Sequence, residues 1–215
     1  MKKFLLVMLV IGGLMMVGCD RKNSRSWLEN KFGNELSRVY PTENLEDLFE
    51  EFPDGFVVRQ NYINRSKNST ELELNGDAKT KSINGILKIS NRKNAEDIEN
   101  IPFHYEQGKL VFKNNKRARE LWPFYGFLFQ SVTIDRNYLS NLKLKKQAHN
   151  FQNGDMSLVY QLNDSKIKER LNLKDGIEYT MELGGSESNR GYYYSVVIRG
   201  DDESRFGETV LDSKN

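Results

Sequence analysis

The chain's only cysteine, Cys19, stands at the end of its only strongly apolar run, and that placement restricts what can hold a fold together here. Met1-Lys2-Lys3 precede "FLLVMLVIGGLMMVG", which runs from Phe4 to Gly18 without a charge. A basic flank, a short apolar segment and a small residue at the boundary make a secretory signal. The run is short for a membrane span, which takes roughly 20 apolar residues. With a single thiol, no disulfide framework and no cysteine-based zinc site can staple the chain. A hydrophobic core has to do that work.

The signal closes on Met16-Val17-Gly18-Cys19, which resembles the bacterial lipobox of an apolar residue, a small or β-branched one, Gly or Ala, then Cys. The chemistry accounts for the pattern. The thiol takes a diacylglyceryl group through a thioether, and cleavage before the modified residue requires Gly18 to be small. Cys19 is therefore expected to carry S-diacylglycerol and an N-acyl group such as palmitate, anchoring the chain to the outer face of the cell membrane. Two or more acyl chains hold a protein stably where one does not, at about 0.8 kcal/mol per buried CH₂. The bland alternative is a plain signal peptide with an incidental cysteine.

Cleavage after Gly18 removes Lys2 and Lys3 and no acid, so 32 basic residues become 30 against 30 acidic. The basic pI therefore belongs to the signal and is no nucleic-acid footprint. The remainder suits one domain with a real core, to which 12 Phe and 10 Tyr contribute. The organisation read here is a signal peptide over 1–18 and a lipidated Cys with a flexible tether over 19–25. A single α+β domain follows over 26–211, then a disordered tail over 212–215.

Within that domain, Ser26 and Glu29 fit a capping box ahead of Leu28, Phe32, Leu36, Val39 and Tyr40, with Pro41 as the stop. "ENLEDLFEEF" predicts a second helix. The period then shifts to two. Segments 55–63, 70–76 and 82–90 read as antiparallel strands, and 101–113 as a hairpin about Gln107-Gly108. "LWPFYGFLFQSVTI" (121–134) could start as helix or strand. A short helix is expected over 137–144, a strand over 155–162, and a helix over 163–171 capped by Asn163 or Asp164. Two closing strands, 176–183 and 190–200, flank a loop "GGSESN". The fold class is α+β: an antiparallel sheet packed with N-terminal helices and short inter-strand helices.

Several segments resemble the tandem-type lipoproteins of staphylococci, the conserved staphylococcal antigen family. They are "VYPTENLEDLFEE" (39–51), "GILKISNRKN" (85–94), "HYEQGKLVFKN" (104–114) and "NGD…VYQLNDSKIKERLNL" (153–173), in addition to the lipobox. The resemblance implies an exposed lipoprotein without a catalytic centre, acting at the host interface. It carries over no site residue except Cys19.

Signatures of chemistry are missing from the sequence: there is no G-x-S-x-G, H-E-x-x-H or P-loop. His104 reads as a half-exposed strand position and His149 as loop, so no enzyme, cofactor or metal is expected. Asp201, Asp202 and Glu203 read as a solvated turn rather than a calcium loop. "NNKRARE" (114–120) and "LKLKKQ" (142–147) read as solvated basic faces that could touch anionic headgroups. In "GYYYS", alternation turns Tyr193 away from Tyr192 and Tyr194.

Two functions remain open on this reading. The first is a surface lipoprotein acting by interaction with host proteins or receptors. The alternative is a carrier whose sheet-lined cavity, near Pro123, Gly126 and the surrounding aromatics, shelters a small apolar ligand. A monomer is expected. The anchor itself has a direct test: Cys19→Ser should leave the membrane fraction after processing, and its retention there would contradict lipidation at this residue.

Overall fold

Where apolar residues recur at every second position, strands form. The computed structural model describes residues 21–63, 68–94, 96–122, 124, 126–187 and 191–213. Its strands are β1 (Phe56–Ile63), β2 (Asn68–Asp77), β3 (Ser82–Asn91), β4 (Asp97–Glu106), β5 (Lys109–Phe112), β6 (Leu144–His149), β7 (Asp155–Gln161), β8 (Tyr179–Ser186), β9 (Tyr193–Gly200) and β10 (Arg205–Asp212). All join one sheet in the order β5-β4-β3-β2-β1-β10-β9-β8-β7-β6, and every neighbouring pair is antiparallel. Two five-stranded meanders thus meet where the first strand pairs with the last.

One face of this sheet is the core. Val58 lies opposite both Leu74 and Val210, and Leu183 opposite both Val196 and Leu158, all of them buried. The other face carries cross-strand ion pairs, Arg59–Glu73 at 2.9 Å and Arg199–Glu182 at 3.0 Å. Exposed pairs of this kind contribute about 0–1 kcal/mol each, so the buried face decides the fold.

Among the described residues, five short helices cover that face: α1 (Arg25–Leu36), α2 (Leu48–Glu51), α3 (Asn115–Leu121), α4 (Arg136–Ser140) and α5 (Ser165–Arg170). Leu28, Phe32 and Leu36 of α1 are wholly buried. At Gly33 the helix meets the start of α4 so closely that a Cβ would lie 2.4 Å from the Arg136 amide nitrogen. α3, α4 and α5 are started by Asn114, Asp135 and Asp164, whose side chains accept backbone N–H groups of the first turn. Asp164 rather than Asn163 is the α5 cap.

The topology imposes one unusual demand. β5 and β6 are the opposite edges of the sheet, so residues 113–143 must carry the chain from one edge to the other. The middle of that crossing is the apolar stretch, with Trp122, Phe124, Phe127, Leu128 and Phe129 all buried. Expected to open as helix or strand, it opens on Leu121, the last residue of α3, and its described residues then include a 3-10 turn at Leu128–Gln130. We call residues 122–130 the strap.

Other expectations need correcting. The cap of α1 is Ser24, which accepts the Trp27 N–H at 3.4 Å. Glu29, expected to close a box with Ser26, is buried and accepts Arg25 Nε at 2.7 Å and the Tyr160 hydroxyl at 3.1 Å. Lys22 and Arg25, read as part of a flexible tether, are tied to the domain: Lys22 pairs with Glu187 at 3.0 Å, and Arg25 donates to the Ser140 and Leu142 carbonyls. The second helix is shorter than the segment 43–52 that predicts it: a 3-10 turn, Leu45–Asp47, runs directly into α2.

Half of "GGSESN" belongs to β8, because Gly185 leaves room for Tyr194, whose ring would stand 2.5 Å from a Cβ there. There are three closing strands, not two. β10 reaches Asp212, and Ser213 donates its amide to the Gly55 carbonyl, so these two residues, read as part of a disordered tail, belong to the fold; Lys214 and Asn215 lie outside the described residues. Asp202 is not solvated: it is buried in the β9–β10 turn and accepts the Ser204 amide at 3.1 Å.

Candidate functional site

Glu208 occupies an inward position of β10, directly opposite Gln60 on β1. It is completely buried, at 0% exposure. Burying a carboxylate is costly unless donors surround it, and four do. The Tyr40 hydroxyl donates at 2.8 Å, Gln60 Nε2 at 2.7 Å, the Leu128 amide at 2.6 Å and the Phe129 amide at 2.9 Å. The two amides belong to the strap's 3-10 turn, so Glu208 fastens the strap to the sheet. Loss of water around the carboxylate pushes its pKa up, against the pull of the four donors. The same burial, with the Glu208 charge beside it, holds the Tyr40 hydroxyl well above the usual phenol range.

Further bonds set the strap's path. Gln60 Nε2 also reaches the Gly126 carbonyl at 3.4 Å, and Gln130 accepts the Phe127 amide at 2.9 Å while donating to the Glu43 carbonyl at 2.8 Å. Gly126 has φ +77°, a left-handed conformation suited to glycine. A Cβ there would in addition fall 2.6 Å from Gln130 and 2.7 Å from Arg170.

Held this way, the strap roofs a cleft of about 300 Å³ against the β4–β5 hairpin and α3. Leu45, Leu110, Phe112, Trp122, Phe124 and Phe127 make its walls apolar. Trp122 and Phe124 pack edge to face at 5.0 Å, and Phe124 meets Tyr62 and Phe206 of the sheet at 5.0 and 5.2 Å, so this wall is packed onto the sheet. Lys109, Asn115, Arg119 and Gln130 supply the polar lining. Such an arrangement can desolvate an apolar group and hold a polar end near the opening.

Of the residues singled out in the sequence, Gly126 and the strap aromatics do line this cleft. Cys19 with the signal segment, and Pro123, lie outside the described residues. His104 is an exposed β4 position beside Glu106, as expected, and is not among the described residues that line the cleft. His149 is not in a loop: it ends β6 with its side chain 2% exposed, 3.2 Å from Glu187 and packed between Trp27 and Phe151. Tyr193 faces outward at 48% exposure while Tyr192 and Tyr194 are buried, as alternation required. Both basic clusters contain regular structure, α3 in one and the start of β6 in the other. Glu208 is a site residue that the sequence pattern barely marks. Its only signal is an acid in phase with Phe206 and Val210.

No protein-family model matches the chain, and no curated protein matches it. Among solved structures it is similar to the crystal structure of the Mycobacterium tuberculosis lipoprotein LppX, with a TM-score of 0.43 and 9% sequence identity. That match covers 88% of this chain and 97% of the other. A likeness so distant assigns neither family nor function.

The Glu208 cluster has a pH signature. With its pKa raised in the folded state, the native protein binds more protons than the unfolded chain above the ordinary glutamate range, so this group's contribution to stability falls as pH rises through that window. Urea unfolding across a pH series should show the fall in the parent and its absence in Glu208→Gln. Glu208→Ala, which strands four buried donors, should cost about 3 kcal/mol. An alanine variant as stable as the parent would contradict the pinning role.

Proposed function

We propose that this chain is a lipid-anchored, non-catalytic binding protein on the outer face of the bacterial membrane, whose domain shelters a small apolar ligand in the cleft beneath the strap. The observation that carries this is the cleft: apolar walls, a fixed aromatic roof and an opening to solvent. Its volume of about 300 Å³ lies at the small end of ligand sites, which run from roughly 300 to 1,000 Å³. A non-catalytic role is favoured by the lining, since none of its described residues is His, Cys, Ser, Asp or Glu. An anchor at Cys19 supplies the membrane attachment. Among the described residues no helix is long and apolar enough to cross a membrane.

A second reading, interaction with host proteins through the surface, follows from the resemblance to the tandem-type lipoproteins. One observation favours it: Tyr193 and Phe151 are about half exposed, at 48% and 50%. Exposed aromatics recur at interface hot spots. The two readings are compatible, because these residues are not among those lining the cleft.

With Trp27→Phe, Trp122 becomes the only indole and reports directly from the cleft wall. Titration with primary alcohols from hexanol to decanol should give dissociation constants that tighten about fourfold per added methylene until the cleft is filled. A fluorescence response that is absent, or independent of chain length, would contradict the reading.

A further inference from the structure

Beside the apolar cleft lies an outer basin that shares Lys109, Leu110, Asn115 and Arg119 with it and adds Val111, Lys116 and Glu120. Lys116 and Arg119 are three residues apart on α3 and so lie on neighbouring parts of its surface, and Lys109 approaches from β5. All three side chains are exposed. Charged residues around them are already committed. Arg117 is tied to Glu99 at 2.9 Å and to Glu120 at 3.2 Å, which also occupies the one acid lining the basin. Among the described residues, no ion pair involves Lys109, Lys116 or Arg119. Three positive charges without carboxylate partners therefore converge at the opening of an apolar slot. This is a local excess and not a reflection of the whole chain, whose acids and bases balance once the signal residues are set aside.

We propose that the outer basin is the head-group subsite for a single-chain anionic amphiphile, with the chain under the strap and a carboxylate or phosphate head on Lys109, Lys116 and Arg119. This rests on the cleft being a ligand site. The small volume favours one chain over several. The guanidinium of Arg119 can fork onto either type of oxyanion, while the two ammonium groups add point charge. A cationic head would meet three repelling charges, and an uncharged one would leave them unused.

The test uses the full chain with its anchor and the Trp27→Phe substitution, held in nanodiscs of zwitterionic phospholipid, with empty nanodiscs as background and Trp122 as reporter. Four probes share one chain length: octanoate, octyl phosphate, octanol and octyltrimethylammonium. At low salt at least one anionic probe should bind about tenfold or more tighter than octanol, and the ammonium should bind more weakly than octanol. Which anion is tighter tells a fatty-acid head from a phosphate one. In K109Q/K116Q/R119Q the anionic probes should fall to the level of octanol, while octanol itself still binds and so reports an intact cleft. Octanol binding as tightly as both anions in the parent, or an anion preference that survives in the triple variant, would overturn the head-group assignment alone. If none of the four binds, the cleft reading fails and this assignment fails with it.

Discussion

A buried carboxylate surrounded by four donors is the point from which the rest of this structure can be understood. The two edges of the ten-stranded sheet are joined by residues 113–143, and a connection of that length lying on a hydrophobic face must settle its own backbone polar groups. The strap does so by presenting the Leu128 and Phe129 amides to Glu208. Tyr40, from the turn after α1, and Gln60, from β1, complete the set. One side chain on the last strand thereby fixes the N-terminal turn, the first strand and the crossing segment relative to each other. The cleft exists because the strap is held at its 3-10 turn while α3 and the β4–β5 hairpin stand beside it.

How much of this was legible depends on whether the chemistry was local. β1, β2 and β3 follow alternation that any half-buried strand must show. The hairpin turn at Gln107-Gly108 is where it was expected, with φ values of +50° and +78°. Asp164 caps α5 through bonds to residues two and three positions on. β6 and β10 were hidden for opposite reasons. β6 is an edge strand rich in lysine, a composition that protects edges from pairing and resembles a solvated loop. β10 breaks its apolar phase at Glu208, and the break is what fastens the strap to the sheet.

The cleft was only partly legible. The strap aromatics and Gly126 stood out as a possible cavity lining, and the basic character of 114–120 was plain. Their meeting was not, since Leu45, Tyr105, Arg119 and Trp122 converge only through tertiary packing. Pairing also separates cations that look alike in sequence: Arg117 is bound on both sides, whereas Lys116 and Arg119 are left to face the basin. An anchor at Cys19 would place such a domain next to a reservoir of amphiphiles, which links the two ends of the account.

The central claim is that the cleft beneath the strap holds a ligand, and native mass spectrometry of residues 20–215 purified from the protein's own host tests it most directly. A reproducible extra mass of a few hundred daltons, lost on denaturation, is the result this account requires. A bare polypeptide mass, unchanged when the protein is exposed to octanol and octanoate, would contradict it and place the function on the outer surface.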